Sequence, residues 1–598
     1  MKNQIAFLLF LTAFISTLSA QPKREFRAVW IAHVSNIDWP SARNLTAQQQ
    51  RDEFVAQLNA LKLTGINAVV MQVRPSCDAI YTSTIEPWAE WLTGKQGKSP
   101  GYDPLQFMIE ETHKRGMEFH AWFNPYRAVI NTAVSSVDSS HISVKRPDWI
   151  LTYNTIKFLN PGLPEVRQYV TSVIMDVVRR YDIDAVHFDD YFYPYPQTGF
   201  TIDDNTTFTQ FPRGIADKAT WRRDNVDLLI KMVADSIKNA KSYVKFGISP
   251  FGIWRNNSSD PQGSNTRGLE AYSDIYADSR KWIQQGWLDY IAPQIYWSIG
   301  FSAANYQVLV PWWANYATNR HLYIGQGVYR INTSSDPNWL KAAEVPNQLR
   351  MNRSTPSVFG SIHFSSTQVL KNLLGFQDSL KQNFYNRPAL IPNMRWKDSI
   401  PPLAPTGLTA TINANQTQVT LKWTRPAAAI DGDKAHYFVI YRFIFGETID
   451  LNKTAAIRTI TPTDTTSFTD VYANPSGFIY VVTAVDRLHN ESAVSNSVQV
   501  GITHTLENKE LTSRLLPNVP NPFSETTTIR YELKKAGLVQ LKIFNMTGAQ
   551  VADLVRQQQA EGSYEVLWQA TDLPKGAYIC RLGVDNNVPL SLRMMLIK

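Results

Sequence analysis

Asp182-Ile183-Asp184-Ala185-Val186-His187-Phe188-Asp189-Asp190-Tyr191-Phe192-Tyr193-Pro194-Tyr195-Pro196 is a short apolar run that ends in two adjacent carboxylates and breaks into aromatics and prolines. Its first half has the composition of a buried parallel strand, and α/β enzymes place their chemistry at the C-terminal ends of such strands. Outward from this stretch, strand-like runs alternate with helical ones from Phe26 to about Gln382. Strands are expected at Phe26–Val34, Ile66–Val73, Met117–Asn124, Ile183–Asp190, Tyr243–Ser249, Leu288–Tyr296, His321–Val328 and Ser357–Phe364. Helical patterns such as Ala47–Leu63, Pro104–Arg115, Pro164–Tyr181, Trp221–Lys241 and Tyr272–Gln285 fall between them. Eight strand–helix units predict an α/β fold, a (β/α)8 TIM barrel. No glycine-rich phosphate loop follows the first strand, which disfavours a doubly wound open sheet.

Strand parity then orients the side chains. Barrel strands alternate between interior and helix layer, and the helix-facing side must be apolar. In the fourth strand Val186 and Phe188 suit the helix layer, so Ala185, His187 and Asp189 point inward and Asp190 begins the loop. The same test turns Gln72 and Arg74 inward on the second strand, and His120, Trp122 and Asn124 on the third. Ser249 on the fifth strand, Gln294 and Tyr296 on the sixth and His363 on the eighth join them. A structural barrel core would carry Val, Ile and Leu there, so polar residues near strand C-termini predict an active-site mouth. Asp189 is the inward carboxylate at that end, whereas Glu118 lies at the opposite end of its strand. Glycoside hydrolysis usually needs two carboxyl groups. The partner is expected from a loop, as Asp190, Asp78, Glu86 or Glu90, unless a substrate acetamido group attacks instead. A metal site using His187, Asp189 and Asp190 with His120 or His363 is the rival reading, although no paired-histidine motif is present. No nucleophile-elbow serine motif occurs.

The chain of 598 residues has room for several domains. Its net charge of +8 is spread without a dense basic stripe, which excludes a nucleic-acid footprint. Lys2, an apolar run from Ile5 to Ile15 and small residues up to Ala20 read as a signal peptide over 1–20, and no transmembrane helix is expected. Cys77 and Cys580 lie in different predicted domains, so no disulfide framework is expected. The barrel region spans 21–386. Five prolines between Arg387 and Pro405 mark a linker over 387–405. From 406 to 502 short alternating strands predict an all-β, immunoglobulin-like sandwich. With Trp423 early and Tyr480 late, it resembles a fibronectin type III domain. A polar connector covers 503–515, and a second all-β sandwich follows over 516–598. Pro520-Asn521-Pro522-Phe523, Asn545-Met546-Thr547-Gly548 and Lys575-Gly576-Ala577-Tyr578 resemble the C-terminal sorting domain of the type IX secretion system. That resemblance implies the secretion machinery as a partner and an exported protein, secreted or attached to the cell surface after passing the periplasm.

The barrel itself resembles a glycosyl-hydrolase-like family related to glycoside hydrolase family ten, which includes bacterial envelope glycosidases. The matching blocks are Arg27-Ala28-Val29-Trp30-Ile31, Gln72-Val73-Arg74-Pro75, and Asp78-Ala79-Ile80-Tyr81 running to Pro87-Trp88. Further blocks are His120-Ala121-Trp122-Phe123-Asn124-Pro125-Tyr126-Arg127, His187 to Pro194, and Ala292-Pro293-Gln294-Ile295-Tyr296-Trp297. The resemblance implies hydrolysis of glycan strands, with peptidoglycan glycan as the expected substrate and no cofactor. Asp189, Asp190 and Glu86 are the catalytic candidates. Substrate contacts are expected from Arg74, Asp78, Trp88, His120, Trp122, Asn124, Tyr126, Arg127, His187, Tyr191, Tyr193, Gln294, Tyr296, Trp297 and His363. A surface glycan-binding module without turnover, or a metal-dependent polysaccharide hydrolase or deacetylase, would use the same face.

Overall fold

The structure is a computed structural model that describes residues 21–415, 417–462, 464–471, 477–501, 513–585, 587 and 589–597. The expected signal peptide and most of the connector at 503–515 lie outside the described residues. The chain divides into two compact units, 1–501 and 502–598.

In the first unit eight parallel strands close a barrel: β1 (Phe26–Ile31), β2 (Ala68–Arg74), β3 (Glu118–Phe123), β4 (Ala185–Phe188), β5 (Lys245–Ile248), β6 (Tyr290–Ile291), β7 (His321–Gln326) and β8 (Val358–His363). Each strand pairs with its sequence neighbours, and β8 closes on β1. Two apolar layers result. The alternate residues Val69, Met71, Phe119, Ala121, Val186 and Phe188 pack outward with the helices. Phe26, Ala28, Trp30, Ala68, Val70, Trp122, Ala185, Tyr290 and Tyr323 fill the barrel. Gly247 of β5 makes room for this filling, because a Cβ there would stand 2.1 Å from the Tyr290 ring. The helices carry local start signals. Thr46 and Gln49 form a capping box on Ala47–Thr64, and Asp103 caps Pro104–His113 with proline in its first turn.

Two features depart from the sequence reading. Strand β6 is two residues long rather than Leu288–Tyr296, because Pro293 cannot donate to a ladder. Beyond it the chain touches its neighbours only at isolated bridges from Gln294 to Phe251 and Gly325. After β3 the chain makes an unanticipated excursion, in which Arg127–Val129, Ile150–Tyr153 and Ile156–Leu159 form a small antiparallel sheet beside the mouth.

Residues from Thr406 to Val500 form a sandwich of a three-stranded and a four-stranded sheet, with Trp423, Phe438 and Tyr480 in its core. The second unit is also a three- plus four-stranded sandwich, built around Phe523, Trp568 and Tyr578. Its Asn545–Gly548 turn is tied by the Asn545 side chain, which accepts from the backbone of Thr547 and Ala549 at 3.1 and 2.9 Å.

Candidate active site

Asp189 leaves the end of β4 at the barrel mouth and is 4 % exposed. Its Oδ2 accepts from the Trp122 indole at 3.2 Å and from the Asn124 amide, and its Oδ1 accepts from the Tyr191 backbone at 3.3 Å. Trp122 and Asn124 can both reach it because they are two residues apart at the end of β3, beside β4. Asn124 is held in turn: its Oδ1 accepts from Gln72 at 2.7 Å and from Arg127 at 2.9 Å, which directs its N–H groups to the carboxylate. Burial raises Asp189 above the ordinary carboxylate range, more than the Arg127 charge and the three donors pull it down.

Asp190 turns away from Asp189 and is 3 % exposed. Its Oδ2 accepts from the Tyr195 hydroxyl. Burial, with the Asp189 charge added, pushes Asp190 up to about 7, against the hydrogen bonding of Tyr195 and Gln294. Two neighbouring carboxyls in a dry site separate into one that stays ionised and one that holds its proton near neutrality.

Above Asp189 opens a cavity of about 400 Å³, within the size range of small-ligand sites. Asp189 is the one carboxylate on its wall among the described residues. Trp30, Trp122, Tyr191, Tyr296, Trp297 and Phe364 supply aromatic faces, and Gln72, Arg127, Ser249 and Gln294 supply polar groups. The Arg127 guanidinium lies 5.2 Å from the Tyr191 ring centroid, joining the excursion to the aromatic loop.

Beneath the floor, hydrogen bonds run down the barrel axis. The Trp30 indole donates to His187 Nε2 at 3.2 Å, which leaves His187 Nδ1 as the protonated nitrogen, 2.9 Å from the Tyr290 hydroxyl. Tyr290 then stands 2.9 Å from His120 Nδ1, and His120 Nε2 lies 2.9 Å from Glu118. Burial holds His187 well below its ordinary pKa, so the ring is neutral. His120 and His187 are therefore interior supports beneath the cavity.

The loop carboxylates lie elsewhere. Glu86 is sealed against Arg74, accepting at 2.6 and 2.8 Å, and also accepts from Tyr169 at 2.9 Å. A register shift between Gln72 and Arg74 takes Arg74 out of the alternation, and its guanidinium also caps the Asn124 and Pro125 carbonyls. Neither residue reaches the cavity, so Glu86 is corrected from a catalytic candidate, and Arg74 from a substrate contact, to a buried pair. Asp78 accepts from Ser76 and Gln96 at 3.0 and 2.9 Å in a separate crevice, and Glu90 accepts from the Ser136 backbone at 2.6 Å. Trp88 packs on the outer core and pairs with Ala79. Tyr126 and Tyr193 are buried outside the cavity, the latter 3.2 Å from Asn225. His363 faces the helix layer, 3.1 Å from the Tyr385 hydroxyl, because Ile362 takes the interior position. This correction also removes His363 from any metal set at the mouth. Among the described residues no group of three metal-ligating side chains converges there.

Sequence reasoning passed over Trp30, Phe251, Tyr329 and Phe364, all on the cavity wall. Parity on β1 would have turned Trp30 inward with Ala28; the others stand beyond the ends of their strands, where alternation gives no signal.

Residues 25–341 match the family described as Glycosyl hydrolase-like 10, and residues 519–595 match the secretion system C-terminal sorting domain. The chain is 48 % identical over 485 residues to the glycosyl hydrolase YngK of Bacillus subtilis, covering 80 % of this chain and 94 % of that protein. It is 44 % identical over 374 residues to the glycosyl hydrolase DigH of Escherichia coli K12, covering 59 % of this chain and 85 % of the relative. Together with the closed barrel, these matches make the chain a member of the Glycosyl hydrolase-like 10 family that carries a secretion-system sorting domain over residues 519–595.

Proposed function

We propose that this protein is an exported glycoside hydrolase that cleaves glycan strands carrying N-acetyl groups, with bacterial peptidoglycan glycan as its substrate. One observation carries the reading. Asp189 and Asp190 are adjacent at the end of β4, Asp189 on the cavity wall and Asp190 behind it against Tyr195, while Glu86, Asp78 and Glu90 are committed to other partners. A facing carboxylate nucleophile is thus missing among the described residues, and a substrate acetamido group supplies the alternative. Asp190, protonated near neutrality, gives its proton to the Tyr195 hydroxyl that it contacts, and Tyr195, on the cavity wall, passes its own to the leaving glycosidic oxygen. The acetamido oxygen of the sugar attacks its own anomeric carbon as that bond breaks, forming a cyclic oxazolinium. Asp189, held on the cavity wall by Trp122 and Asn124, accepts the acetamido N–H and as a carboxylate stabilises the positive charge. The same Tyr195 contact carries a proton back to Asp190 from the water that opens the ring, which returns the starting acid and retains the anomeric configuration. The aromatic walls suit the apolar faces of pyranose rings.

The sorting-domain match supports engagement of the type IX machinery and a secreted or cell-surface location. No helix among the described residues is long and apolar enough to cross a membrane.

The test is to incubate the full chain with peptide-stripped peptidoglycan glycan and with the same glycan after chemical N-deacetylation, counting new reducing ends. We expect cleavage of the first only, with turnover reduced about 10³-fold or more in Asp190→Asn and in Asp189→Asn. Equal cleavage of the deacetylated strands would sink the acetamido mechanism. Absence of new reducing ends alongside retained binding would favour a glycan-binding role.

A further inference from the structure

The excursion after β3 builds a second cleft, of about 320 Å³, beside the catalytic cavity. Ile130, Ile156 and Phe158 of the excursion line it together with Tyr193, Pro194 and Gln197 of the aromatic loop. Arg127, Tyr191 and Tyr195 line both spaces, so the cleft and the cavity meet along one ridge. That ridge is held in place. Arg127 donates to the Pro75 carbonyl at 2.8 Å and to Asn124 at 2.9 Å, and the Tyr191 and Tyr195 rings stand edge to face at 5.8 Å. Tyr191 is nevertheless 42 % exposed.

The lining indicates what fits there. Among the described residues it carries no carboxylate, so the cleft binds rather than reacts. Phe158 and Tyr193 are buried and packed edge to face at 6.2 Å, which gives a firm apolar floor. Gln197 adds a polar group. Its Oε1 accepts from the Asn154 amide at 2.8 Å, which leaves its Nε2 donors without a hydrogen-bond partner among the described residues. Aromatic and apolar faces with a few placed donors are how pockets hold amphipathic ligands. A pyranose ring carrying an acetamido group matches this lining, its C–H face on the aromatics and its carbonyl toward the amide. A strand lying over Asp189 brings such rings to the ridge, because the two spaces are continuous.

We propose that this cleft is a second sugar subsite, which holds rings of the same glycan strand beyond the one over Asp189, with the strand crossing the Tyr191 ridge. The inference rests on the glycan-hydrolase reading above and adds that the enzyme selects long strands. Binding away from the reacting bond helps to position that bond. A strand that enters the cleft is therefore cleaved faster than one that stops at the ridge.

The experiment gives the full chain peptide-stripped peptidoglycan glycan in size fractions, from single disaccharide repeats upward, and measures kcat/KM for each. The expected profile rises about tenfold or more once the strand spans the ridge, then levels. Ile156→Trp fills the cleft from outside the catalytic cavity and should remove that rise. Gln197→Ala should reduce the rise by about threefold, and it serves if Ile156→Trp fails to fold. A kcat/KM that is equal at every length overturns the subsite and leaves the hydrolase reading intact, as does a rise that survives Ile156→Trp. If no fraction is cleaved, the hydrolase reading fails, and calorimetry with the same fractions decides the cleft separately. Binding that tightens with strand length and is weakened by Ile156→Trp supports the subsite; absent or length-independent binding overturns it.

Discussion

Asp190 works against the fold that holds it. In the unfolded chain its carboxyl ionises at the ordinary value, whereas the folded site raises it to about 7. A group raised in this way contributes no penalty below about pH 4, and a growing one as pH rises toward 7, because the folded state must keep a proton that the unfolded state releases. Asp190→Asn should therefore lose activity yet melt higher than the parent at pH 8, by about 1–4 kcal/mol of stability. The gap should close below about pH 4, and thermal melts across pH check it. The same acid sets the alkaline limb of turnover, expected at a midpoint near 7. In Asp189→Asn the like charge is gone, so whatever activity remains should show that limb at lower pH. A limb that stays in place would mean another group supplies the proton.

At the scale of elements, the loop from β2 to the helix Pro104–His113 is a rigid shoulder locked by Arg74 and Glu86. Glu86→Ala leaves a wholly buried guanidinium without its carboxylate, which should cost about 3–5 kcal/mol. Denaturant melts should show that loss, with the pH profile of the remaining activity unmoved. A profile that shifted would return Glu86 to the chemistry. The barrel could be read from sequence because strand and helix periods alternate so regularly and because outward positions such as Val69, Phe119 and Val186 are apolar. The same alternation turns His120, Trp122 and His187 inward, as the structure has them. It misleads at Arg74, where the register slips, and at His363, where Ile362 takes the interior. Alternation could not reveal the excursion after β3, whose short strands pair only with one another. Nor could it show that Tyr195 folds back onto Asp190, a contact five residues along a loop.

At the scale of the whole first unit, the barrel's lower end is closed by a residue from the sandwich. Glu118 binds Lys245 of β5 and, at 2.5 Å, His489, whose other nitrogen lies 2.9 Å from Tyr437. Burial would push Glu118 up, but Lys245, His489 and His120 outweigh it and hold it well below the carboxylate range. Glu118→Ala would strand Lys245 in the interior, and a loss of about 3–5 kcal/mol is expected in a melt of the full chain. An unchanged melt would show that water reaches Lys245. His489 is also more than a hundred residues beyond the last barrel strand. The proline linker therefore marks a boundary in sequence but not in folding: a chain ended before the sandwich lacks a piece of the barrel's own interior. Relatives built by exchanging one sandwich for another would have to carry a compatible residue at that position, which makes these neighbouring modules coupled partners rather than interchangeable parts.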